Sequence, residues 1–379
     1  MKFIKKRKNI IILFIIILLV ILLFCYLKTE DNSEENQILK SAKIYINYIE
    51  NNLFSNNKNI SGYYDITKNG IKKENDKEIT IKLRGIKPIS GKIKIGDNGK
   101  VLSSNFILGN YFINTNEENI QIRLISDNIY NNKIMSVLGD SISTYKGYVP
   151  TINDYAYPRT YLLTDVNLTW WYRLINDFNM KLGINESWAG SRVFNSDEKN
   201  YSSFGPDRHM ASMTRLNNLD NNGTPDVIFF YGGTNDIGHS SNLEIFDSNE
   251  YYVKDIVDLK KTTYSSFTEA YTLAIRRIKY LYPNSELIVL LPMSTKTYYT
   301  EEELNNYTKI IKEICKRYNI FYIDLSLCGI NQSSISTYLS DGVHPNSKGM
   351  YLISEYVQSE IKRNFYRNKE FNKYMTKAK

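Results

Sequence analysis

The sequence predicts an α/β fold over residues 132–364, with a five-stranded parallel sheet covered by helices on both faces, which gives three layers. The first observation behind this prediction is a regular alternation of short apolar runs with longer segments of helical periodicity. The second is that polar clusters directly follow the apolar runs, as they do at the carboxyl ends of parallel strands. With 379 residues, 42% of them hydrophobic, the chain is long enough for this domain and a smaller one before it.

Residues 1–28 are predicted to form a basic cytoplasmic tip and a single transmembrane helix. Five Lys and Arg residues precede an unbroken apolar run of eighteen residues, from Ile10 to Leu27, near the minimum length for a helix that spans a bilayer. The flanks are basic before the run and mostly acidic after it, so the positive-inside rule places the later domains outside the cell. A cleaved signal peptide and a lipidated Cys25 are the alternatives, but both require small residues where bulky ones such as Phe24 stand.

Residues 29–131 are predicted to form a small domain of one helix and an antiparallel sheet. Apolar residues recur at three- and four-residue spacings over residues 38–53, which indicates an amphipathic helix. Short alternating runs separated by turns follow over residues 78–122 and indicate antiparallel strands. The order of anchor, helix and sheet resembles the pilin-like modules of some Gram-positive surface proteins over residues about 30–125, and a simple spacer domain is the alternative.

The large domain is predicted to contain five strands and four main helices. The strand candidates are Ile134 to Leu138, Lys181 to Asn185, Asp226 to Tyr231, Glu286 to Leu291 and Ile320 to Leu325. The helix candidates are Thr169 to Asn179, Ser265 to Leu281, Glu301 to Tyr318 and Ser347 to Arg363. Residues 191–225 are irregular and polar and are expected to lie over the site as a loop, and residues 365–379 are expected to form a basic C-terminal tail.

The charge and the cysteine content argue against two classes of function. The formal net charge is +8, but five of the positive charges lie in the N-terminal tip, so the rest of the chain is only slightly basic and no nucleic-acid partner is expected. Beyond Cys25 only Cys315 and Cys328 remain, too few for a disulfide framework and without the paired spacing of a zinc site. Two buried thiols or a single bridge are the options for this pair.

A Gly-Asp-Ser tripeptide that ends at Ser141 closes the first apolar run, and Asp341 and His344 precede the last helix. A serine hydroxyl is a weak nucleophile unless a histidine accepts its proton and a carboxylate fixes the tautomer of that histidine. The three-residue spacing suits a loop in which Asp341 folds back onto the His344 ring nitrogen that faces away from the serine. His209 and His239 stand in settings that suit this role less well. A simple turn is the alternative for the tripeptide.

Two further segments offer hydrogen-bond donors for the oxyanion that forms when a serine attacks an ester. Gly190 follows the second strand candidate, and its main-chain amide is accessible because glycine has no side chain. Asn235 follows the third strand candidate and offers a side-chain amide. Preorganised donors of this kind often supply the largest single contribution to the rate. A tight turn and an Asx-type turn are the respective alternatives.

In chain order these segments read Gly-Asp-Ser, Trp-Ala-Gly-Ser-Arg, Gly-Gly-Thr-Asn-Asp and Asp-Gly-Val-His-Pro. They resemble the SGNH (GDSL-type) hydrolase superfamily over residues about 132–364, with the four signature residues at Ser141, Gly190, Asn235 and His344. The resemblance implies a flavodoxin-like strand order, Ser141 as nucleophile, His344 as base and Asp341 as its orienter. It also implies an oxyanion hole made of the Ser141 amide, the Gly190 amide and the Asn235 side chain. This chemistry needs no metal or organic cofactor.

The resemblance implies an ester hydrolase. The expected substrate is a carbohydrate or cell-surface glycan that carries small acyl groups, above all acetyl, or another small ester, and the expected outward location favours a polymer over a metabolite. The alternatives are an envelope glycan O-acyltransferase with the same triad and a non-catalytic surface adhesin or pilin-associated scaffold. The aromatic residues between 145 and 171 include candidates for stacking on sugars, whereas a core position is expected for at least one of Trp170 and Trp171. Arg192 is expected to pair either with a substrate carboxylate or with a surface acid.

Overall fold

The computed structural model describes residues 34–54, 60–67, 70–74, 90–116, 119–125, 129–195, 207–243 and 258–377. The chain divides into two compact units, residues 1–125 and residues 126–379. No helix in the described ranges is long and apolar enough to cross a membrane. The predicted membrane span, residues 10–27, lies outside these ranges, and the anchor therefore stays a prediction.

The described residues of the first unit form one helix and a six-stranded antiparallel sheet. Its elements are α1 (Glu34–Phe54), β1 (Gly62–Thr67), β2 (Gly70–Lys73), β3 (Ser90–Ile95), β4 (Val101–Leu108), β5 (Tyr111–Asn116) and β6 (Ile120–Leu124). The strands are arranged in the order β2-β1-β3-β4-β5-β6. Residues Ala42, Tyr45 and Ile49 share one face of α1, as the three- and four-residue spacing requires, and belong to the same buried core as Phe106.

Strands β1 and β2 were not predicted from the sequence. Their residues combine a charged side chain, Asp65, with glycines at the start of each strand, so the apolar alternation is short. The pairing itself is regular, because Tyr64 lies opposite Lys73 and Ile66 lies opposite Ile71. The run of alternating residues at 79–83, which we predicted as a strand, falls outside the described residues.

The second unit is an α/β domain. Its elements, in chain order, are β7 (Ile134–Gly139), α2 (Trp170–Phe178), β8 (Lys181–Asn185), α3 (Met213–Asn217), β9 (Val227–Tyr231), α4 (Thr234–Gly238), α5 (Phe267–Leu281), β10 (Glu286–Leu291), α6 (Glu301–Arg317), β11 (Phe321–Asp324), α7 (Ile335–Tyr338) and α8 (Ser347–Lys377). The strand order is β11-β10-β9-β7-β8, and all four neighbouring pairs are parallel. The predicted five-stranded parallel sheet is confirmed, and its order is the flavodoxin-like order.

Both faces of the sheet are buried, as the central strand β9 shows. All five of its residues are inaccessible to solvent, and they alternate between two helical layers. Phe229 and Tyr231 contact the indole of Trp170 on α2, with ring centroids 5.8 and 6.1 Å apart. Phe230 stacks on Tyr271 of α5 at 4.8 Å. The helices therefore cover both faces of the sheet, and a ligand can approach it at the ends of the strands.

In the second unit the predicted bounds of the strands and main helices agree with the observed ones to within two residues, except at the C-terminal end of α8. Helix α8 continues to Lys377 instead of ending at Arg363, and most of the predicted basic tail is its continuation, because no Gly or Pro interrupts the chain after Gly349. The residues 191–225, which were predicted to be irregular, contain the short helix α3, from which Arg215 donates to the Gly139 and Glu186 carbonyls at the ends of β7 and β8. Cys315 and Cys328 are buried free thiols.

Candidate active site

Ser141 follows the carboxyl end of β7. In the sheet β7 lies between β8 and β9, and the strand order along the chain changes direction at this point. β7 ends at Gly139, and residues 141–143 form one turn of 3₁₀ helix. The Asp140 carboxylate caps this turn by accepting the Ile142 amide at 2.9 Å. A Cβ atom at Gly139 would lie 2.8 Å from two neighbouring serine hydroxyls. The tight reversal after the strand therefore requires glycine.

The structure brings Ser141, His344 and Asp341 together as a connected row. Nε2 of His344 lies 2.9 Å from Oγ of Ser141, across 203 residues of sequence. Nδ1 of the same ring lies 2.8 Å from Oδ2 of Asp341. Because an ionised carboxylate only accepts, Nδ1 carries the proton, and Nε2 is then free to accept the proton of the serine. This arrangement makes Ser141 a nucleophile candidate and His344 its base.

The loop that carries His344 is fixed by main-chain contacts. Gly342 adopts a φ of +85°, a conformation that favours glycine, and its carbonyl accepts the Lys296 amide at 2.8 Å. The Tyr157 hydroxyl donates to the Pro345 carbonyl at 2.9 Å, and the Tyr157 ring meets the His344 ring edge-on at 6.2 Å. The imidazole is thus oriented by packing as well as by Asp341.

The Asp341 carboxylate stays ionised. Burial by itself would raise its pKa, but the hydrogen bond from the His344 ring and those from the His344 and Val343 amides outweigh burial and hold the pKa below its usual range. The two amides donate to Oδ1 at 2.7 and 3.0 Å, so one oxygen shapes the loop while the other orients the ring.

Asn235 lies at the start of α4, directly after β9. Its Nδ2 donates to the Ser191 carbonyl at 2.9 Å, and its Oδ1 accepts the Tyr298 hydroxyl at 3.1 Å. The Ser191 carbonyl can only accept a hydrogen bond, so the side-chain atom of Asn235 that faces it is Nδ2, and Oδ1 is the atom that accepts the Tyr298 hydroxyl. Burial raises the pKa of Tyr298 to about 12, which keeps its hydroxyl protonated and able to donate.

Gly190 lies in the turn after β8, with a φ of +72°. Within the described part of the chain, neither its main-chain amide nor that of Ser141 donates a hydrogen bond to another protein group. Asp236 connects this turn to α4, because its carboxylate accepts the Val193 and Phe194 amides, each at 2.9 Å. Burial raises the pKa of Asp236 to about 7 in spite of these hydrogen bonds.

The family model for GDSL-like lipases and acylhydrolases matches residues 133–361, more than half of the chain. The chain belongs to this family. It is an ester hydrolase, and the resemblance of residues about 132–364 to the SGNH (GDSL-type) superfamily is confirmed. No curated protein matches it significantly.

Solved structures similar to this GDSL-like hydrolase come from several bacteria. A candidate GDSL-like lipase from Bacteroides ovatus is 29% identical, over 63% of this chain and 99% of that one, with a TM-score of 0.45. Another from Bacteroides uniformis is 29% identical, over 60% and 93% of the two chains, with a TM-score of 0.44. A variant of an acetyl xylan esterase from Geobacillus stearothermophilus is 14% identical, over 62% and 97%, with a TM-score of 0.39.

The sequence analysis of this GDSL-like hydrolase gave no role to Tyr298 and His239. Nδ1 of His239 lies 2.8 Å from the main-chain carbonyl oxygen of Asn235 and 3.2 Å from the Tyr298 hydroxyl. Because the carbonyl only accepts, Nδ1 carries a proton, so the tyrosine proton is directed to Oδ1 of Asn235. No motif spacing signals this contact, since 63 residues separate Tyr298 from Asn235.

Other side chains singled out in the sequence lie away from the row of Ser141 and His344 or are buried. Trp170 and Trp171 are both fully buried in the hydrolase core, so the core position expected for at least one of them is occupied by both. Arg192 is also buried, and its positive charge partly offsets the effect of burial on the pKa of Asp236. In the described ranges no group of three or more His, Cys, Asp and Glu side chains is placed to hold a metal ion.

His209 is a structural residue of the hydrolase, and it predicts acid sensitivity. Its ring is 1% exposed, meets the Tyr264 ring at 5.4 Å, and has no hydrogen-bond partner among the described residues. Burial, followed by the positive charges of Arg215 and Arg277, lowers its pKa from 6.5 to about 3. Below about pH 6.5 the His209 side chain is therefore protonated in the unfolded chain but not in the folded protein. The free energy of unfolding consequently decreases as the pH falls from about 6.5 towards 3.

Below pH 6 we expect the free energy of unfolding of His209→Leu to decrease by about 1 kcal/mol less per pH unit than that of the wild type. The measurement is the urea midpoint of tryptophan fluorescence at pH 7, 6 and 5. All three tryptophans lie in the second unit, so the signal reports that unit alone. Parallel pH dependences for wild type and variant would contradict the assignment.

Proposed function

We propose that the chain is a serine esterase that releases small acyl groups, above all acetyl, from a glycan. The observation that carries this proposal is the unbroken row from Oγ of Ser141 through the His344 ring to Asp341, with contacts of 2.9 and 2.8 Å. A serine held in this way is a prepared nucleophile. The Ser141 and Gly190 amides and the Asn235 side chain lie in the turns that follow three adjacent strands and supply donors for the oxyanion.

The mechanism has two steps. Oγ of Ser141 attacks the ester carbonyl while its proton passes to Nε2 of His344, and the carbonyl oxygen becomes an oxyanion that the three donors stabilise. His344 then protonates the leaving alcohol as the C–O bond breaks, leaving an acyl group on Ser141. In the second step His344 takes a proton from water, the resulting hydroxide attacks the acyl carbon, and the acid departs as the proton returns to Oγ.

The segment between residues 148 and 161 supports a glycan as the alcohol part of the substrate. Tyr148, Tyr155 and Tyr161 are 37%, 40% and 55% exposed, and aromatic faces are suited to stacking on sugars. The same segment is bound to the site, because Asn153 donates to the Ser187 carbonyl and the Asp154 carbonyl accepts the Ala189 amide. Exposed rings are therefore carried on a segment anchored next to the proposed oxyanion donors.

Tyr155→Ala tests the glycan assignment. We expect KM for an acetylated polysaccharide to rise about tenfold, the loss of one stacking contact of roughly 1.4 kcal/mol, while KM for an aryl acetate stays unchanged. Tyr280→Ala is the matched control, since Tyr280 is 59% exposed on α5, which leads to the opposite end of the sheet. Equal KM values for the polysaccharide in all three proteins would argue against stacking, and faster cleavage of long-chain lipid esters would contradict the substrate class.

We further propose that residues 10–27 anchor this enzyme in the cell membrane with residues 29–379 outside the cell, the small domain serving as a spacer or pilin-like module. The apolar run and its basic flank support this proposal. Protease treatment of intact cells tests it: loss of the hydrolase domain is expected, and a protected domain in intact cells would contradict it.

A further inference from the structure

Arg208 lies beneath one of the proposed oxyanion donors. The peptide group between Ala189 and Gly190 has two hydrogen-bonding ends: its N–H is the Gly190 donor, and its C=O accepts Nη2 of Arg208. On the other side of Ala189, the Ala189 amide donates to the Asp154 carbonyl at 2.8 Å. The plane of the donor peptide is therefore set by protein contacts on both of its flanks, while the Gly190 N–H is left for a ligand.

The Arg208 side chain is itself held in place. It is 7% exposed, its guanidinium lies 5.9 Å from the centre of the Trp188 ring, and its Nη2 is 4.0 Å from the Asp154 carboxylate. A Cβ atom on Gly190 would lie 2.6 Å from Nη2. The guanidinium thus occupies the space where a side chain at 190 would be, which explains glycine there as well as its φ does.

We propose that Arg208 is a positioning residue that orients and polarises the Ala189–Gly190 peptide for oxyanion binding. The peptide bond is a resonance unit. A guanidinium that donates to the peptide oxygen therefore draws electron density from the peptide nitrogen and makes the N–H a stronger hydrogen-bond donor. Guanidinium is a permanent cation at every working pH. Its effect grows with the negative charge of the bound oxygen, so it favours the transition state over the neutral ester.

This inference rests on the proposed function, specifically on the Gly190 amide as an oxyanion donor. It predicts that Arg208→Gln lowers kcat for an aryl acetate about ten- to hundredfold, less than the loss of a donor itself, with KM changed by less than about twofold. Affinity for a boronic acid, which forms a tetrahedral adduct with a nucleophilic serine, is expected to fall by a similar factor. Arg208→Lys, which keeps the cation but loses the fork, is expected to retain more of both.

Arg277→Gln is the matched control. Arg277 is also buried and donates to main-chain carbonyls, those of Asp258, Lys261 and Ala211, which belong to none of the proposed site turns. It is expected to lower the melting temperature while leaving kcat and boronic acid affinity unchanged. Full-length proteins in detergent are compared at a temperature where circular dichroism shows each to be folded.

Several outcomes overturn the inference. Wild-type kcat in folded Arg208→Gln would do so, as would a rise in KM with kcat unchanged, because that pattern indicates ground-state binding. If Arg208→Gln does not fold, Arg208→Lys decides: a loss of about threefold or more in kcat and boronic acid affinity is expected, and unchanged values are contradictory. If the wild type itself hydrolyses no ester, the proposed function fails, and the inference fails with it.

Discussion

We expect Ser141→Ala to reduce kcat for ester hydrolysis by about 10⁴-fold or more. The substitution removes the only atom that forms the acyl intermediate, and His344 is left without a nucleophile to activate. Some residual activity is expected, because the oxyanion donors still stabilise the oxyanion that forms when water attacks the ester directly. The fold should be unaffected, because the Ser141 side chain makes its hydrogen bond to His344 alone among the described residues.

The measurement is the steady-state rate of aryl acetate hydrolysis by full-length protein in detergent. Ser136→Ala is the matched control, since Ser136 is a fully buried serine on β7, the strand that precedes Ser141, and its hydroxyl donates to the Leu219 carbonyl. That control is expected to lose stability and keep its kcat. Turnover in Ser141→Ala equal to wild type would rule out the serine mechanism.

His344→Ala and Asp341→Asn are expected to differ in severity. Loss of the imidazole removes both the base that accepts the serine proton and the acid that protonates the alcohol, so we expect a fall in kcat of about 10⁴-fold or more. Asparagine at 341 can still accept the His344 and Val343 amides through its oxygen and so keeps the loop in place. Its NH₂ group, however, opposes the required tautomer, and a smaller fall of about 10²- to 10³-fold is expected.

The comparison uses the same aryl acetate assay, with melting temperatures to show that each variant is folded. Equal losses in the two variants would contradict the division of roles, because Asp341 would then be as essential as the base that it orients. A loss in Asp341→Asn that tracks a lower melting temperature would assign that residue to loop stability instead.

The chain pattern was sufficient for the sheet and for the row of Ser141, Asp341 and His344. Strands β7, β9 and β10 are largely apolar runs of five or six residues, as is typical of parallel strands that are buried on both faces. Strands β8 and β11 contain fewer apolar residues, and their place in the alternation with helices predicted them. The tight turn at Gly139 and the three-residue spacing of Asp341 and His344 are local features, so they are legible in sequence. Parallel strands then bring their ends to one edge, which predicts the meeting of distant segments.

Arg208 and Tyr298 could not be found in that way. Both reach the site through side chains from elements that carry no motif, and their partners are a main-chain carbonyl and an amide oxygen. Such contacts depend on the path of irregular loops, where no periodicity constrains the chain. The depth of His209 was equally hidden, since a polar residue beside Asp207 in an irregular segment gives no sign of burial.

The most direct test of the central claim, that Ser141 is the nucleophile of this esterase, is to locate a covalent label. Full-length protein is treated with a fluorophosphonate, which is attacked by activated serines, and its peptides are analysed by mass spectrometry. We expect one modified peptide, with the label on Ser141, and we expect the label to be absent in His344→Ala as well as in Ser141→Ala. Label on another serine, or unlabelled Ser141 in a preparation that hydrolyses aryl acetate, would contradict the claim.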